Sequence, residues 1–402
     1  MGVTIAVTLG WLRPLAPIRD AVTLQPLEHM RLVVGHWFVV LAPLYDVWDA
    51  MTLLPIAGHA AILAALTIAY VVWRSRVARR RSRRLDWREL VKGSVALTLV
   101  LAWYAVGAIA PRPMAALAVD DPDDVVVDFH SHTEASHDGR FGFTAERNRE
   151  WHRGAGYDVA YITDHGTFAA VPGALARNPA HAGDGIVLLP GFETRYSGEH
   201  LNVIGFAAES TYGHLSPAAL ASFSRTSRPT ALLTIPASVE SADHATPTDG
   251  RLVGIEIVDG SPLGLAFGLR RRRALERLGA SLHAALIVGS NNHGWGRTAP
   301  GWSVLNIPGW RRLTPAQLDS AIMATLASAD RGRVVVVERK PPEPVGESVF
   351  IADVARVVRN PFRTLGGAEQ LAWVAWIWLP WWVAGPGRAR SRLAAAMRGR
   401  RR

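Results

Sequence analysis

Short apolar runs, each closed by a polar cluster, recur through the middle of the chain. Val125 to Val127 leads into Asp128-Phe129-His130-Ser131-His132, with His137-Asp138-Gly139 close behind. Val159 to Ile162 leads into Thr163-Asp164-His165-Gly166, and Ile186 to Leu189 into Pro190-Gly191-Phe192-Glu193-Thr194-Arg195. Leu252 to Val258 contains Glu256 and ends at Asp259-Gly260; Ala284 to Val288 leads into Gly289-Ser290-Asn291-Asn292-His293. Apolar runs of this length read as buried strands. Helix-like stretches such as Thr144–Gly154 and Leu269–Gly279 lie between them. The alternation predicts parallel strands with crossover connections. In a barrel so built, polar residues at the strand ends gather on one carboxyl-end face.

The residues at those ends have metal-ligand chemistry. On an extended segment His130 and His132 point to the same side, because side chains alternate with period two. His165, Glu193, His200 and His293 repeat the theme downstream. Imidazoles mixed with carboxylates suit borderline divalent ions, and a chain without Cys offers no thiolate site. A pair of such ions can lower the pKa of water and neutralise charge on a phosphoryl group. Arg140, Arg195 and Arg297 each lie a few residues from an expected ligand. Their planar forks suit phosphate oxygens, although a solvated surface charge explains each of them equally well. Asp164 is expected either to orient an imidazole or to cap a following helix. Glu256 reads as a supporting group rather than a ligand.

With these motifs in place, residues 124–339 resemble a PHP domain, the polymerase-and-histidinol-phosphatase family of metal-dependent phosphoesterases. The resemblance rests on His130-Ser131-His132 with Asp138-Gly139, on Ile162-Thr163-Asp164-His165, on Pro190-Gly191-Phe192-Glu193, and on Gly289 to His293. It implies an α/β fold, a distorted (β/α)7 TIM-like barrel, holding one to three Zn, Mn or Fe ions and cleaving phosphoesters with a metal-activated water. It further implies that His130 and His132 bind a first ion and that Glu193 bridges to a second. His165 and His293 would serve another ion with Asp138 or His137, and His200 matches the family histidine after the glutamate. Two positions depart from the family pattern. Asn291 stands where an aspartate is usual, and Ile235-Pro236 stands where His-Pro is usual. His244 is a possible substitute from a loop.

The termini differ in character from this middle segment. Thr52 to Trp73 is a stretch of 22 residues free of Asp, Glu, Lys and Arg, and Gly93 to Ala110 adds 18 more. Both meet the length needed to cross a bilayer. The nine Lys/Arg between Arg74 and Lys92 then predict a cytoplasmic loop. That orientation places the metal domain outside the cytoplasm. Residues 371–387, with five Trp, are expected to cross back or lie in the interface, leaving the Arg-rich tail 388–402 inside. Residues 32–48 are a further possible span. The expected organisation is an N-terminal membrane region to residue 110, a linker 111–123, the barrel 124–339, a juxtamembrane segment 340–370, and the C-terminal helix and tail. The net charge of +10 and the 15 Trp agree with that reading.

Phosphate-cradling glycine loops and the G-x-S-x-G elbow are absent. The basic runs abut apolar segments without interleaved aromatics, so nucleic acid is not an expected partner. The reading that follows is a membrane-anchored metal-dependent phosphoesterase acting on a phosphorylated small molecule or an envelope-derived phosphate ester. The alternative is a catalytically weakened module that binds or senses metal or ligand.

Overall fold

The computed structural model describes residues 2–81, 87–196, 198–205, 230–236, 238, 252–339 and 360–379. Its strands are β1 (Arg19–Asp20), β2 (Met30–Val33), β3 (Ala116–Val119), β4 (Asp124–Ser131), β5 (Val159–Ile162), β6 (Val187–Tyr196), β7 (Glu199–Ile204), β8 (Thr230–Leu233), β9 (Leu252–Asp259), β10 (Ala285–Gly289), β11 (Gly301–Asn306) and β12 (Val334–Glu338). Its helices are α1 (Gly2–Leu12), α2 (His36–Val40), α3 (Ala42–Thr52), α4 (Ile56–Arg81), α5 (Trp87–Ile109), α6 (Ala145–Ala155), α7 (Val171–Leu175), α8 (Pro262–Leu265), α9 (Leu269–Leu282) and α10 (Pro315–Ser328).

Ten strands form one curled, mixed sheet in the order β1-β12-β11-β4-β5-β6-β7-β8-β9-β10. β5, β10 and the Val125–Val127 part of β4 are continuously apolar because both of their faces are covered. Val125, Val127, Phe129, Tyr161, Leu189 and Ile287 form a core with Leu318, Ile322 and Leu326 of α10. The curl brings the end of β10 back to the end of β4. There Asn291 N donates to His130 O (2.8 Å) and His132 N to Asn292 O (2.9 Å).

This is not the expected (β/α)7 barrel of parallel strands. β4-β5-β6 and β8-β9-β10 pair in parallel, but β6-β7-β8 is an antiparallel meander, and β11 is antiparallel to both β4 and β12. A tight connection at Gly198 joins β6 to β7 directly, and a connection that short allows only antiparallel pairing. The N-terminal region also contributes to the sheet: β1 pairs with β12. Residues 111–123, expected as a linker, contain β3, which pairs with β2. Asp49 of α3 is buried between Arg112 Nη2 and Arg339 Nη2, both at 2.7 Å, which ties that helix to the end of β12. Removing one partner from such a buried cluster costs about 3–5 kcal/mol.

The expectation of an integral membrane protein is corrected as well. Among the described residues no helix is long and apolar enough to cross a membrane. The stretch Thr52–Trp73 is not one helix, since α3 ends at Thr52 and α4 starts after Pro55 and runs on into the arginines up to Arg81. α5 takes Arg88, Glu89 and Lys92 into its first turns. Residues 32–48 are split among β2, α2 and α3. Without spans, the charge argument that put the metal domain outside and the basic runs inside the cytoplasm has no premise. The helices still expose apolar side chains, among them Leu66, Ile68, Val95 and Leu99. Residues 367–379 are helical. The rest of the expected 371–387 segment, the tail 388–402 and His244 lie outside the described residues.

Candidate metal centre

β4 delivers the first two imidazoles. Its alternation puts His130 and His132 on one side, with Nε2 atoms 3.0 Å apart. β6 brings Glu193 up beside them, where its Oε2 lies 3.1 Å from His130 Nε2 and 3.3 Å from His132 Nε2. The loop after β5 adds His165, whose Nδ1 is 3.2 Å from the same Oε2. From β7, His200 Nδ1 makes a short contact with Glu193 Oε1. Glu193 is 3% exposed and meets four histidines.

A second cluster adjoins the first. Asp138 Oδ2 lies 3.0 Å from His293 Nε2 and 3.5 Å from His165 Nε2. The rings of His132 and His293 stack with centroids 4.0 Å apart. His137 stands beside His165, with ring centroids at 4.8 Å. Both Asp138 and His137, the alternatives expected to join His165 and His293, therefore lie beside His165. Ser136 Oγ donates to Asp138 Oδ1 (2.8 Å) and orients the carboxylate.

Behind His130 stands Glu256, fully buried at the centre of β9. Its Oε1 accepts from His130 Nδ1 at 2.9 Å, which leaves Nε2 as the nitrogen facing Glu193. Its Oε2 accepts from Ile235 N at 3.3 Å. Where the family pattern has a histidine, this chain therefore supplies a backbone N–H that steadies the carboxylate. Gly289 makes the approach possible, because a Cβ there would lie 2.3 Å from Glu256 Oε1 and 2.6 Å from His130 Cβ.

Other expected site residues have different partners. Asp164 accepts from Thr133 N (2.6 Å) and Thr133 Oγ1 (2.7 Å). It thus fixes the turn after His132 rather than capping a helix, and burial pushes its carboxyl up to about 6. Asn291 has a left-handed backbone (φ 47°) and donates from Nδ2 to Asp259 Oδ2 at 3.1 Å. Its carbonyl accepts from His293 Nδ1 at 3.0 Å. Arg195 Nε donates to His200 Nε2 at 3.1 Å. Arg297 donates to Gly260 O, next to Asp259. Arg140 joins the cluster through its backbone, with N donating to His293 O at 2.9 Å.

Two residues were missed by sequence reasoning. Asp259 lies 3.6 Å from His130 Nδ1 and forms a ligand-like group with His130 and Glu256. Its position at the carboxyl end of β9 was the available signal. Asp128 is buried, with Oδ2 2.7 Å from His152 Nε2 and Oδ1 accepting from His130 N (3.1 Å) and Ser290 N (2.9 Å). It locks β4 to the turn after β10. No sequence signal marked it, since its partners come from two distant elements.

The charge states of His132, His165, His293 and Glu193 suit a cation, whereas His130 would have to release a proton to bind one. Burial drives His132 well below the ordinary imidazole range, reinforced by His293 and His130. Burial also lowers His165 and His293, only partly offset by Glu193 and Asp138. Neutral imidazoles have a lone pair to donate. Burial alone would raise Glu193, but the surrounding imidazoles, His130 foremost, hold it well below the carboxylate range. Burial opposes a charge on His130 too, yet Glu256 and Glu193 raise it well above 6.5. Glu256 itself is pushed up by burial to about 8. His132 Nδ1 is buried without a hydrogen bond, and His293 Nε2 faces Asp138 Oδ2 at 3.0 Å. Ligand atoms around a tetrahedral zinc with N bonds of about 2.0–2.1 Å would be about 3.3 Å apart. The 3.0–3.3 Å edges joining His130, His132 and Glu193 are close to that.

No protein-family model matches the chain, and no curated protein matches it. Solved structures give distant likenesses. PsfC from Pseudomonas syringae is 13% identical, with 60% of this chain and 99% of that one covered, at a TM-score of 0.35. A two-domain protein from Bacteroides vulgatus containing a predicted PHP-like metal-dependent phosphoesterase is 16% identical, with 63% and 72% covered, at 0.37. An amidohydrolase from Chromobacterium violaceum is 13% identical, with 48% and 96% covered, at 0.31. Likeness at this level carries no argument about activity, so the functional reading rests on the geometry of the site.

Proposed function

We propose that this chain is a metal-dependent hydrolase of phosphate esters, of the PHP type its motifs resemble. One observation carries the reading: Glu193 Oε2 lies within 3.3 Å of a nitrogen on each of three imidazoles, His130, His132 and His165. A buried carboxylate so placed would serve as a ligand alongside those imidazoles. His130, His132 and Glu193 would hold one ion. Three adjoining groups, His132 with His165 and His293, His165 with Glu193 and His200, and His137 with Asp138 and His165, offer places for a second ion. Divalent ions in these positions supply Lewis acidity toward a phosphoryl oxygen and a more acidic water.

The chain's own groups do the positioning. Glu256 fixes the tautomer and ring plane of His130, and Asp128 fixes its backbone. Asp164 and Thr133 hold the turn that carries the His137-Asp138 pair. Arg195, in contact with His200, presents a guanidinium at the open side of the cluster, where it can pair with phosphate oxygens.

The test is to strip the full chain of metal and reload it with Mn, Zn or Fe. Bound ions are then counted, and hydrolysis of an aryl phosphate is measured. Turnover should require metal and disappear in His165→Ala and Glu193→Gln. Full metal occupancy without turnover on any phosphomonoester or diester would overturn the hydrolase and leave the metal-binding module.

A further inference from the structure

The metal cluster has an apolar neighbour. A cavity of about 420 Å³ opens between the end of α3, the start of α4, the end of α5 and the loops that follow β9 and β10. Its apolar walls are Met51, Leu54, Ile109, Leu265 and Trp295. Two of those walls belong to the metal-site loops. Leu265 lies in α8, just after Asp259, and Trp295 comes two residues after His293. Arg297 also lines the cavity, while its guanidinium donates to Gly260 O beside Asp259.

We propose, building on the hydrolase reading, that this cavity takes the apolar arm of the substrate. The substrate class is then an alkyl phosphate ester whose chain fills the cavity and whose phosphate passes Arg297 to reach the metal cluster. Three observations support this. The volume lies in the range of ligand pockets. Trp295, 42% exposed, places a large apolar surface at the mouth. Three polar groups of the lining are already engaged. Thr52 Oγ1 donates to Asp49 O at 3.0 Å, His59 Nδ1 is paired with Tyr104 Oη, and Arg297 is on Gly260 O. A nucleobase or sugar would leave its own donors and acceptors unpaired there, which is costly, whereas a hydrocarbon arm loses nothing.

The experiment uses the metal-loaded full chain and a series of n-alkyl phosphates from methyl to octyl, kept below their aggregation concentrations. KM should fall by up to about fourfold per added methylene until the cavity is full, with kcat nearly constant. In Leu265→Glu the dependence of KM on chain length should vanish, whatever the change in KM for methyl phosphate. In Leu265→Trp, which fills rather than charges the cavity, the preferred chain should shorten. A wild-type KM independent of chain length would overturn the inference and leave the hydrolase standing. If no ester is turned over, the hydrolase fails separately, and calorimetry with methyl- and octylphosphonate decides the cavity. A preference for octyl that Leu265→Glu removes would uphold it, and equal affinities would sink it.

Discussion

Glu256 accepts a hydrogen bond from His130 Nδ1 at 2.9 Å, and neither side chain has contact with solvent. A carboxylate behind an imidazole fixes which nitrogen faces the site and raises its basicity, and losing such a partner typically costs 10–100-fold in metal affinity. Glu256→Gln keeps the size and an acceptor oxygen but can never take the carboxylate form. It should weaken metal binding by roughly that factor, measured by competition with a chromophoric chelator. Unchanged affinity would mean that His130 does not depend on Glu256 to bind.

Gly289 explains how Glu256 reaches that position. A methyl group there would collide with both Glu256 Oε1 and His130 Cβ, in a strand with no room to move aside. Gly289→Ala should therefore disturb the site. The expected outcome is a metal affinity at least as low as that of Glu256→Gln, with a stability loss of about 1–3 kcal/mol from overpacking. Affinity equal to wild type would show that the β10 backbone shifts without consequence.

Much of the cluster was legible because its side chains sit at strand ends beside apolar runs, so His130, His132, His165, Glu193 and His293 could be picked out before any fold was known. Their convergence depends on pairings that sequence does not encode locally. Asp128 meets His152 from a helix and Ser290 from the far strand, and Asp259 meets Asn291 across two strands. The antiparallel turn from β6 into β7 was hidden because His200 reads only as lying seven residues past Glu193, whereas the hairpin pairs it with Arg195 and pairs Glu193 with Asn202. The expected spans failed for a different reason. A hydropathy window passed through Leu53–Pro55, where the backbone breaks between α3 and α4.

Metal removal should reach beyond the site itself. A ligand that binds only the folded chain stabilises it by about 2.7 kcal/mol at a hundredfold excess over Kd. Chelation should lower Tm, and re-addition of Zn or Mn should restore it. Glu193→Gln, which leaves four histidines without their shared anion, should show little response to either treatment. A Tm response equal to wild type would place the ions elsewhere in the chain.

Asp319 offers a pH test away from the metal centre. It lies on α10, 9% exposed, and its Oδ1 accepts from Tyr161 Oη at 2.5 Å. Burial raises its pKa to about 6, against about 3.9 in an unfolded chain. Between those values the folded state holds the proton more tightly. The group's contribution is thus fully present below pH about 4 and is lost as pH rises through about 6, a change on the order of 3 kcal/mol. Asp319→Asn keeps an oxygen for Tyr161 but never ionises. The difference in Tm between variant and wild type should be small at acid pH and should shift in favour of the variant up to about pH 7, then level off. A difference that stays constant across this range would show that Asp319 titrates normally, and that its environment is more open to water than its burial implies.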